Sequence, residues 1–296
     1  MGALQRWKSS TGAPFRQFSR EDARQIRSFT IFNACTKRRA SRCFAIAACL
    51  HLAACTGVSQ LPPFDGIRCE QQGAHKPASP TLIVFAGWKV AADDAWHWGR
   101  ALAAAGFDDN PPATLCAARG PQDASYRQKD IDTGAFARTW VAHPPRGTVT
   151  VVAHSSGSFV AQHFLRQLRD AGGESILTRI DYINLDGAVG EGERAIDAEL
   201  IKVLASVRAV YAIDPNTSSE SANASSMRRL HALAPAKVTL IALPMPHAGC
   251  NPGAQWCLHN ALITRRPHNA ATFDLRRDYG EIDRLHPVEH AYLHAR

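Results

Sequence analysis

The sequence has 296 residues, of which 45% are hydrophobic, and this provides enough apolar surface for one sizeable core and at most one large domain. The formal charge of +8 is confined to residues 1–54, which hold ten basic and two acidic residues, whereas residues 55–296 hold 24 of each sign. Because the basic charge belongs to the leader and not to the body of the protein, a nucleic-acid partner is excluded.

Residues 1–54 end in the pattern of a secretory signal peptide. Four basic residues precede the apolar run 43–50, and small residues follow it. The run is too short to span a bilayer as a helix. Residues 52–55 resemble the lipobox of bacterial lipoproteins, in which the cysteine becomes lipid-modified. The resemblance implies a periplasmic protein with a membrane anchor at Cys55, and the alternative is an ordinary signal peptide with a coincidental cysteine.

The remaining cysteines agree with export. Four of them follow Cys55, and four cysteines permit three pairings. Cys250 and Cys257 close a short loop and are therefore predicted to pair, which leaves Cys69 to pair with Cys116. Such bonds persist in an oxidising compartment. The alternative is that these cysteines are buried free thiols.

Residues 55–78 contain several prolines and scattered polar residues, and they are predicted to tether the leader to a domain over residues 79–296. In that domain, short and almost continuously apolar runs alternate with longer amphipathic ones, which indicates parallel strands separated by helices. The predicted strands are 81–86, 148–153, 180–185, 207–213 and 238–243, with a weaker candidate at 112–117. The predicted helices are 94–105, 130–142, 158–170, 193–205, 222–233 and 281–294.

One predicted strand, 148–153, leads directly into Ser155 and then into an amphipathic helix. A very sharp turn at the serine requires small residues two positions away on either side, and Ala153 and Gly157 satisfy this requirement. The serine then lies at the amino terminus of a helix, whose positive end favours an anion beside it. The pattern predicts a nucleophile elbow with Ser155 as the nucleophile.

The motif at residues 153–158 and the order of the strands resemble the α/β-hydrolase superfamily of esterases, lipases, thioesterases and peptidases. The resemblance covers about residues 79–296 and implies an α/β-hydrolase fold, with a mostly parallel central sheet and helices on both faces. Ala153 departs from the family's G-x-S-x-G pattern, in which a glycine comes first. The implied activity is cleavage of a carboxylic ester or thioester through an acyl-enzyme on Ser155, with no metal and no cofactor.

A serine hydroxyl needs a histidine to take its proton, and the histidine needs a carboxylate to orient it. In the superfamily the acid follows the nucleophile in the chain. Asp214 ends the predicted strand 207–213 and has the usual acid position by strand count, so it is the predicted acid. Asp186 ends the strand 180–185, where a minority of the superfamily carries the acid, and it is the alternative.

The histidine is expected after the last predicted strand, 238–243. His247 follows that strand and precedes two small residues, which would let its ring approach the serine. It is the predicted general base. His259, which also adjoins the predicted disulfide loop, is the alternative among the 13 histidines of the chain.

The oxyanion hole of this fold uses two backbone N–H groups. One is predicted to belong to Ser156, which follows the nucleophile, and the other to Trp88, in the loop after strand 81–86. Trp88, Trp96 and Trp98 are candidates for lining an acyl pocket, with packing in the core as the alternative.

Two other interpretations are weaker. Residues 286–290 match the H-x-x-E-H zinc signature, but Pro287 lies within the motif and only six residues follow His290 to supply the further ligand that this chemistry needs, so no metal site is predicted. A lipoprotein that keeps the fold and binds a ligand without catalysis is the alternative to a hydrolase.

Overall fold

The computed structural model describes residues 61, 63–71, 79–107, 110–122, 131–187, 189, 196, 198–214, 222–242, 259–260 and 262–263. All of them belong to one unit, Val58–Arg296. Within these ranges, none of the helices has the length and hydropathy for a bilayer crossing. The predicted helix 281–294, with its H-x-x-E-H motif, lies outside the described residues. So do Cys55, His247, Cys250 and Cys257.

The described elements follow the predicted alternation of strands and helices. The strands are β1 Ile67–Gln71, β2 Thr81–Phe85, β3 Thr114–Ala118, β4 Val149–His154, β5 Ile180–Leu185, β6 Ala209–Asp214 and β7 Val238–Ala242. The helices are α1 Ala92–Gly106, α2 Thr133–Ala142, α3 Gly157–Asp170, α4 Glu174–Leu177, α5 Ala198–Ser206 and α6 Ala222–Leu233. Each predicted strand, and each predicted helix that falls at least partly within the described residues, is present, with bounds that agree to within five residues.

The strands form one sheet in the order β1-β3-β2-β4-β5-β6-β7. Every neighbouring pair is parallel except β1 with β3. All residues of β2, β4 and β5 are buried, as expected for parallel strands covered on both faces. The prediction of an α/β-hydrolase fold is confirmed, and the carboxyl ends of β2, β4 and β5 lie side by side at one edge of the sheet.

Two apolar layers cover the two faces of the sheet. Alternate residues of a strand point to opposite faces, and in β2 Ile83 and Phe85 join one layer while Leu82 and Val84 join the other. Helices α2, α3, α5 and α6 contribute side chains to the first layer, and α1 contributes to the second. The strand ends that carry the candidate site are therefore held on a rigid, double-sided support.

Strand β1 lies within the segment predicted to be a tether, and here the structure differs from the prediction. Its residues alternate in burial, with Ile67 buried and Arg68 exposed, so half of the strand is polar and resembles linker sequence. Cys69 of β1 lies directly opposite Cys116 of β3, with 4.1 Å between the Cα atoms, and the two form a disulfide. The predicted Cys69–Cys116 pairing is confirmed.

Candidate active site

The turn after β4 places Ser155 in a left-handed conformation, with a φ of 55°. Its N–H donates to the carbonyl of Leu185, at the end of the neighbouring strand β5, over 3.1 Å. A Cβ atom at Gly157 would lie 2.3 Å from the carbonyl oxygen of Phe85, so only glycine fits where α3 begins. The backbone therefore makes the sharp strand-to-helix turn that the sequence predicted, and it leaves the Ser155 side chain half-buried.

Left-handed backbone occurs at three non-glycine residues of the described chain, and all three follow adjacent strands of the sheet. Lys89 lies beyond β2, Ser155 follows β4 and Asp186 follows β5, with φ values of 59°, 55° and 43°. Each such residue costs about 1–3 kcal/mol and persists only where the surroundings enforce it. Strain of this kind gathers at functional sites, so the edge formed by these three strand ends is the candidate active site.

Asp186 and His259 form a buried hydrogen bond at this edge. Nδ1 of His259 lies 2.6 Å from Oδ2 of Asp186, and the two residues are 5% and 1% exposed. The Asp186 N–H donates to the carbonyl of Ile213, and the side-chain amide of Asn223 donates to the Asp186 carbonyl over 2.7 Å. The backbone of Asp186 is thus fixed by β6 and α6, and its carboxylate holds the His259 ring through Nδ1.

The described residues bring together the two alternatives of the sequence analysis, Asp186 and His259. The backbone of Asp214 ends β6 and is paired with that of Ala242. The Asp214 side chain and the whole of His247 lie outside the described residues. Their roles as acid and base remain predictions, whereas the pair formed by Asp186 and His259 has the geometry of an acid and the base that it orients.

A second histidine, His154, packs against His259. The ring centroids are 4.5 Å apart, and Nε2 of His154 lies 3.3 Å from the backbone carbonyl oxygen of His259. Burial, and then the neighbouring His259, hold the pKa of His154 well below its usual value, so this ring is neutral. No role for His154 was predicted from the sequence. The available signal was a polar residue at the end of an apolar strand, immediately before the predicted nucleophile.

The loop after β2 lies against the serine. A Cβ atom at Gly87 would be 3.4 Å from Cβ of Ser155 and 3.1 Å from Nδ1 of His154, so the loop backbone passes directly beside the elbow. The Lys89 N–H donates to the carbonyl of Pro121 and turns the loop back toward the domain. The backbone of Trp88, next to Gly87, therefore stays a candidate oxyanion donor.

The other predicted oxyanion donor, Ser156, is the N-cap residue of α3. The first N–H groups of a helix have no partner within that helix and point toward an anion at its amino terminus. Ser156 directly follows the strained Ser155, so its backbone N–H and the positive end of α3 lie where an oxygen bound beside Ser155 would be.

The three tryptophans near this loop differ in their environment. Trp96 and Trp98 are 6% and 0% exposed and belong to the apolar layer on the α1 face of the sheet. The alternative of core packing therefore describes both of them. Trp88 is 40% exposed, with the ammonium group of Lys89 4.5 Å from its ring centroid, and it is the one tryptophan of the three that presents its ring to solvent.

No protein-family model and no curated protein sequence matches this chain. Three solved structures to which it is similar are the acyl-protein thioesterase 2 of Zea mays, esterase B of Lactobacillus rhamnosis and a lidless α/β serine hydrolase of Xanthomonas campestris. Their identities are 12%, 13% and 15%, and their TM-scores are 0.39, 0.37 and 0.38. The alignments cover 62%, 68% and 62% of this chain and 93%, 82% and 86% of the three structures. At these identities and TM-scores, the activities of those proteins do not define the activity of this one.

Proposed function

We propose that this protein is a serine hydrolase that cleaves carboxylic esters or thioesters, with Ser155 as nucleophile, His259 as general base and Asp186 as the acid that orients the base. The observation that carries the proposal is the buried hydrogen bond between His259 Nδ1 and Asp186 Oδ2, at the sheet edge where Ser155 has its strained backbone. In this proposal Asp186 and His259 take the roles that the sequence analysis gave to Asp214 and His247.

The proposed reaction follows from the protonation states of the pair. With the Nδ1 proton donated to Asp186, the other ring nitrogen of His259, Nε2, is the one that accepts the proton of the Ser155 hydroxyl. The serine oxygen attacks the acyl carbon, and His259 then gives its proton to the leaving alcohol or thiol. Water, activated by the same nitrogen, hydrolyses the acyl-enzyme and restores Ser155.

Burial makes Asp186 suited to its role. An ionised carboxylate removed from water is costly unless it is paired and hydrogen-bonded. Within the described residues, Asp186 Oδ1 has no hydrogen-bond partner, and Oδ2 is hydrogen-bonded to Nδ1 of His259. The interaction between the Asp186 carboxylate and the His259 ring is therefore strongest when the ring carries a second proton. That state forms as Ser155 attacks.

The developing oxyanion would be stabilised by backbone donors. We assign these donors to the N–H groups of Ser156 and Trp88, as the sequence predicts. Ser156 caps α3, whose amino terminus favours a negative charge, and the residue before Trp88 lies directly beside Ser155. Loss of one such donor typically slows a hydrolase by about 100- to 1,000-fold.

A series of p-nitrophenyl esters and thioesters tests the proposed function. The wild-type chain is expected to release an initial burst of product equal to the enzyme concentration, followed by slower turnover, because an acyl-enzyme accumulates. Ser155→Ala should lose both phases. Ser175→Ala, which removes the hydroxyl of an exposed serine in α4, is the matched control and should retain them. Ligand binding without turnover in the folded wild type would favour a non-catalytic binding protein instead.

We also propose that the protein is exported and anchored through a lipid on Cys55. The proposal is supported by the signal-peptide pattern of the leader and by the Cys69–Cys116 disulfide, which persists in an oxidising compartment. Labelled palmitate supplied to expressing bacteria should be incorporated into the wild type and not into Cys55→Ser. A wild-type protein that matures without acquiring label would contradict the lipid anchor.

A further inference from the structure

We infer that His154 is a positioning residue, which fixes the general base His259 to the strand that carries the nucleophile. The inference rests on the proposed function, since it assigns His154 a role in the reaction at Ser155. His154 is not expected to touch the substrate. It acts through the backbone of His259.

The contact joins two segments that are 105 residues apart in the chain. Nε2 of His154 lies 3.3 Å from the carbonyl oxygen of His259, and as the protonated ring nitrogen it donates to that carbonyl. His154 immediately precedes Ser155 and is paired, within β4, with Leu185 of β5. The hydrogen bond therefore joins the backbone of the base to the residue directly before the nucleophile.

His259 is held at two points by two different residues. Asp186 binds its ring through Nδ1, while His154 binds its backbone carbonyl. The hydrogen bond to Asp186 alone would not fix the His259 backbone. The hydrogen bond from His154 alone would leave the ring free to rotate. Together the two contacts define both the location and the orientation of the base, which is what proton transfer from a neighbouring hydroxyl requires.

The surroundings of His154 accommodate its ring in the interior of the domain. The residue is 2% exposed, and the ring lies edge-on to Trp98 with centroids 6.4 Å apart. Gly87 admits the ring because it lacks a Cβ, which would come within 3.1 Å of His154 Nδ1. Burying a polar ring costs free energy unless it is hydrogen-bonded, and the His259 carbonyl offsets that cost. An apolar side chain could fill this space at a lower cost in free energy, but it could not donate a hydrogen bond to the carbonyl of the base.

The neighbouring rings of His154 and His259 have different roles in proton transfer. Burial and the proximity of His259 hold the pKa of His154 well below its usual value, so His154 is a neutral donor. A charge on both rings at a centroid distance of 4.5 Å would be strongly unfavourable. The proton taken from Ser155 is therefore accepted by His259, beside Asp186, and His154 contributes a hydrogen bond without competing for that proton.

A matched pair of substitutions separates the hydrogen bond from the packing. His154→Gln places an amide nitrogen near the location of the lost Nε2, whereas His154→Met has similar length and no donor. We expect His154→Met to lower kcat by about 100-fold, as for a small misplacement of a catalytic group, and His154→Gln to stay within about tenfold of wild type. KM should change by less than about twofold in both, because the ground-state contacts of the substrate are intact.

Thermal unfolding of each variant, measured alongside the kinetics, shows whether the variant is folded. If His154→Met does not fold, His154→Asn replaces it, because its shorter amide cannot reach the His259 carbonyl, and the same loss of kcat is expected. Equal losses of kcat in His154→Gln and in the variant without the donor would overturn the inference, and so would wild-type kcat in both. Either result, obtained with an active wild type, would leave the proposed function standing. An inactive wild type would instead overturn the proposed function and the inference together.

Discussion

The neighbouring parallel strands β5 and β6 each end at an aspartate, and the two aspartates are held differently. Asp214 is the last residue of β6 and is still paired with β7 through Ala242. Asp186 lies one residue beyond β5, in a left-handed conformation with a φ of 43°, and its backbone is hydrogen-bonded to Ile213 and Asn223. A regular strand end needs no special support. The strained backbone of Asp186 is maintained by its hydrogen bonds to Ile213 and Asn223, and the Asp186 carboxylate is hydrogen-bonded to His259.

The difference distinguishes the two aspartates by the backbone conformation at each strand end. Strand count favoured Asp214, because it considers the order of the strands and not the backbone conformation at their ends. The strain at Asp186, and its match with the strain at Ser155 on the adjacent strand, distinguishes one end from the other. Substitutions that compare the two aspartates, and the histidines that would accompany them, are the sharpest ways to test this distinction.

The largest expected effect is that of removing the base. His259→Ala should lower kcat by about 10⁵- to 10⁶-fold, as removal of a triad histidine does. His247→Ala, the matched change at the other candidate histidine, should lower it by less than about tenfold if His247 takes no part in proton transfer. Steady-state hydrolysis of a p-nitrophenyl ester measures both. The reverse ranking would return the role of base to His247.

Removing the charge of the acid comes next. Asp186→Asn keeps the shape of the side chain but no longer stabilises the required tautomer of His259, so kcat should fall by about 10⁴-fold. Asp214→Asn should leave kcat within about tenfold of wild type. A large loss in Asp214→Asn with little loss in Asp186→Asn would show that strand count, and not backbone strain, identifies the acid.

The edge strand β1 offers a region without catalytic geometry for comparison. Its disulfide to β3 closes a loop over a sequence separation of 47, and reduction should lower the free energy of unfolding by about 4 kcal/mol through the added entropy of the unfolded chain. Urea unfolding with and without dithiothreitol measures the change. Under native conditions the reduced protein should keep its kcat, and a loss of kcat in the folded reduced protein would link β1 to the site.

The smallest effect concerns His154 and pH. Because its pKa is lowered on folding, the unfolded chain binds a proton that the folded chain does not. This contribution to stability is complete above the ordinary pKa of about 6.5 and is lost as the pH falls toward the lower folded value. Between pH 7.5 and pH 5, wild type should therefore lose more of its free energy of unfolding than His154→Met loses. Equal losses, measured by urea unfolding, would indicate that His154 titrates normally.

The sequence predicted most of the fold because the signals of this fold are local. Buried parallel strands such as β4 and β5 are continuous apolar runs, and the elbow at Ser155 is framed by the small residues Ala153 and Gly157. Strand β1 escaped prediction because its alternating polar residues resemble a linker. Helix α4 escaped because four residues are too few to show a helical period.

The proposed acid and base were harder to predict because their pairing depends on contacts between distant segments. Asp186 and His259 are 73 residues apart, and nothing in the sequence near either residue states that they meet. His259 is one of 13 histidines, and a location after a strand does not distinguish it from His247. The hydrogen bond and the left-handed backbone at Asp186 carry that information, and both exist only in the folded chain.

Reaction with a fluorophosphonate probe, followed by peptide mapping of the adduct, tests the central claim most directly. We predict one adduct, on Ser155, in the wild type and in Asp214→Asn, and its near-absence in Asp186→Asn and His259→Ala at matched times. Such a result would show that Ser155 is a nucleophile activated through the buried pair. A folded wild-type protein that remains unlabelled, or that is labelled at a serine other than Ser155, would contradict the proposed hydrolase.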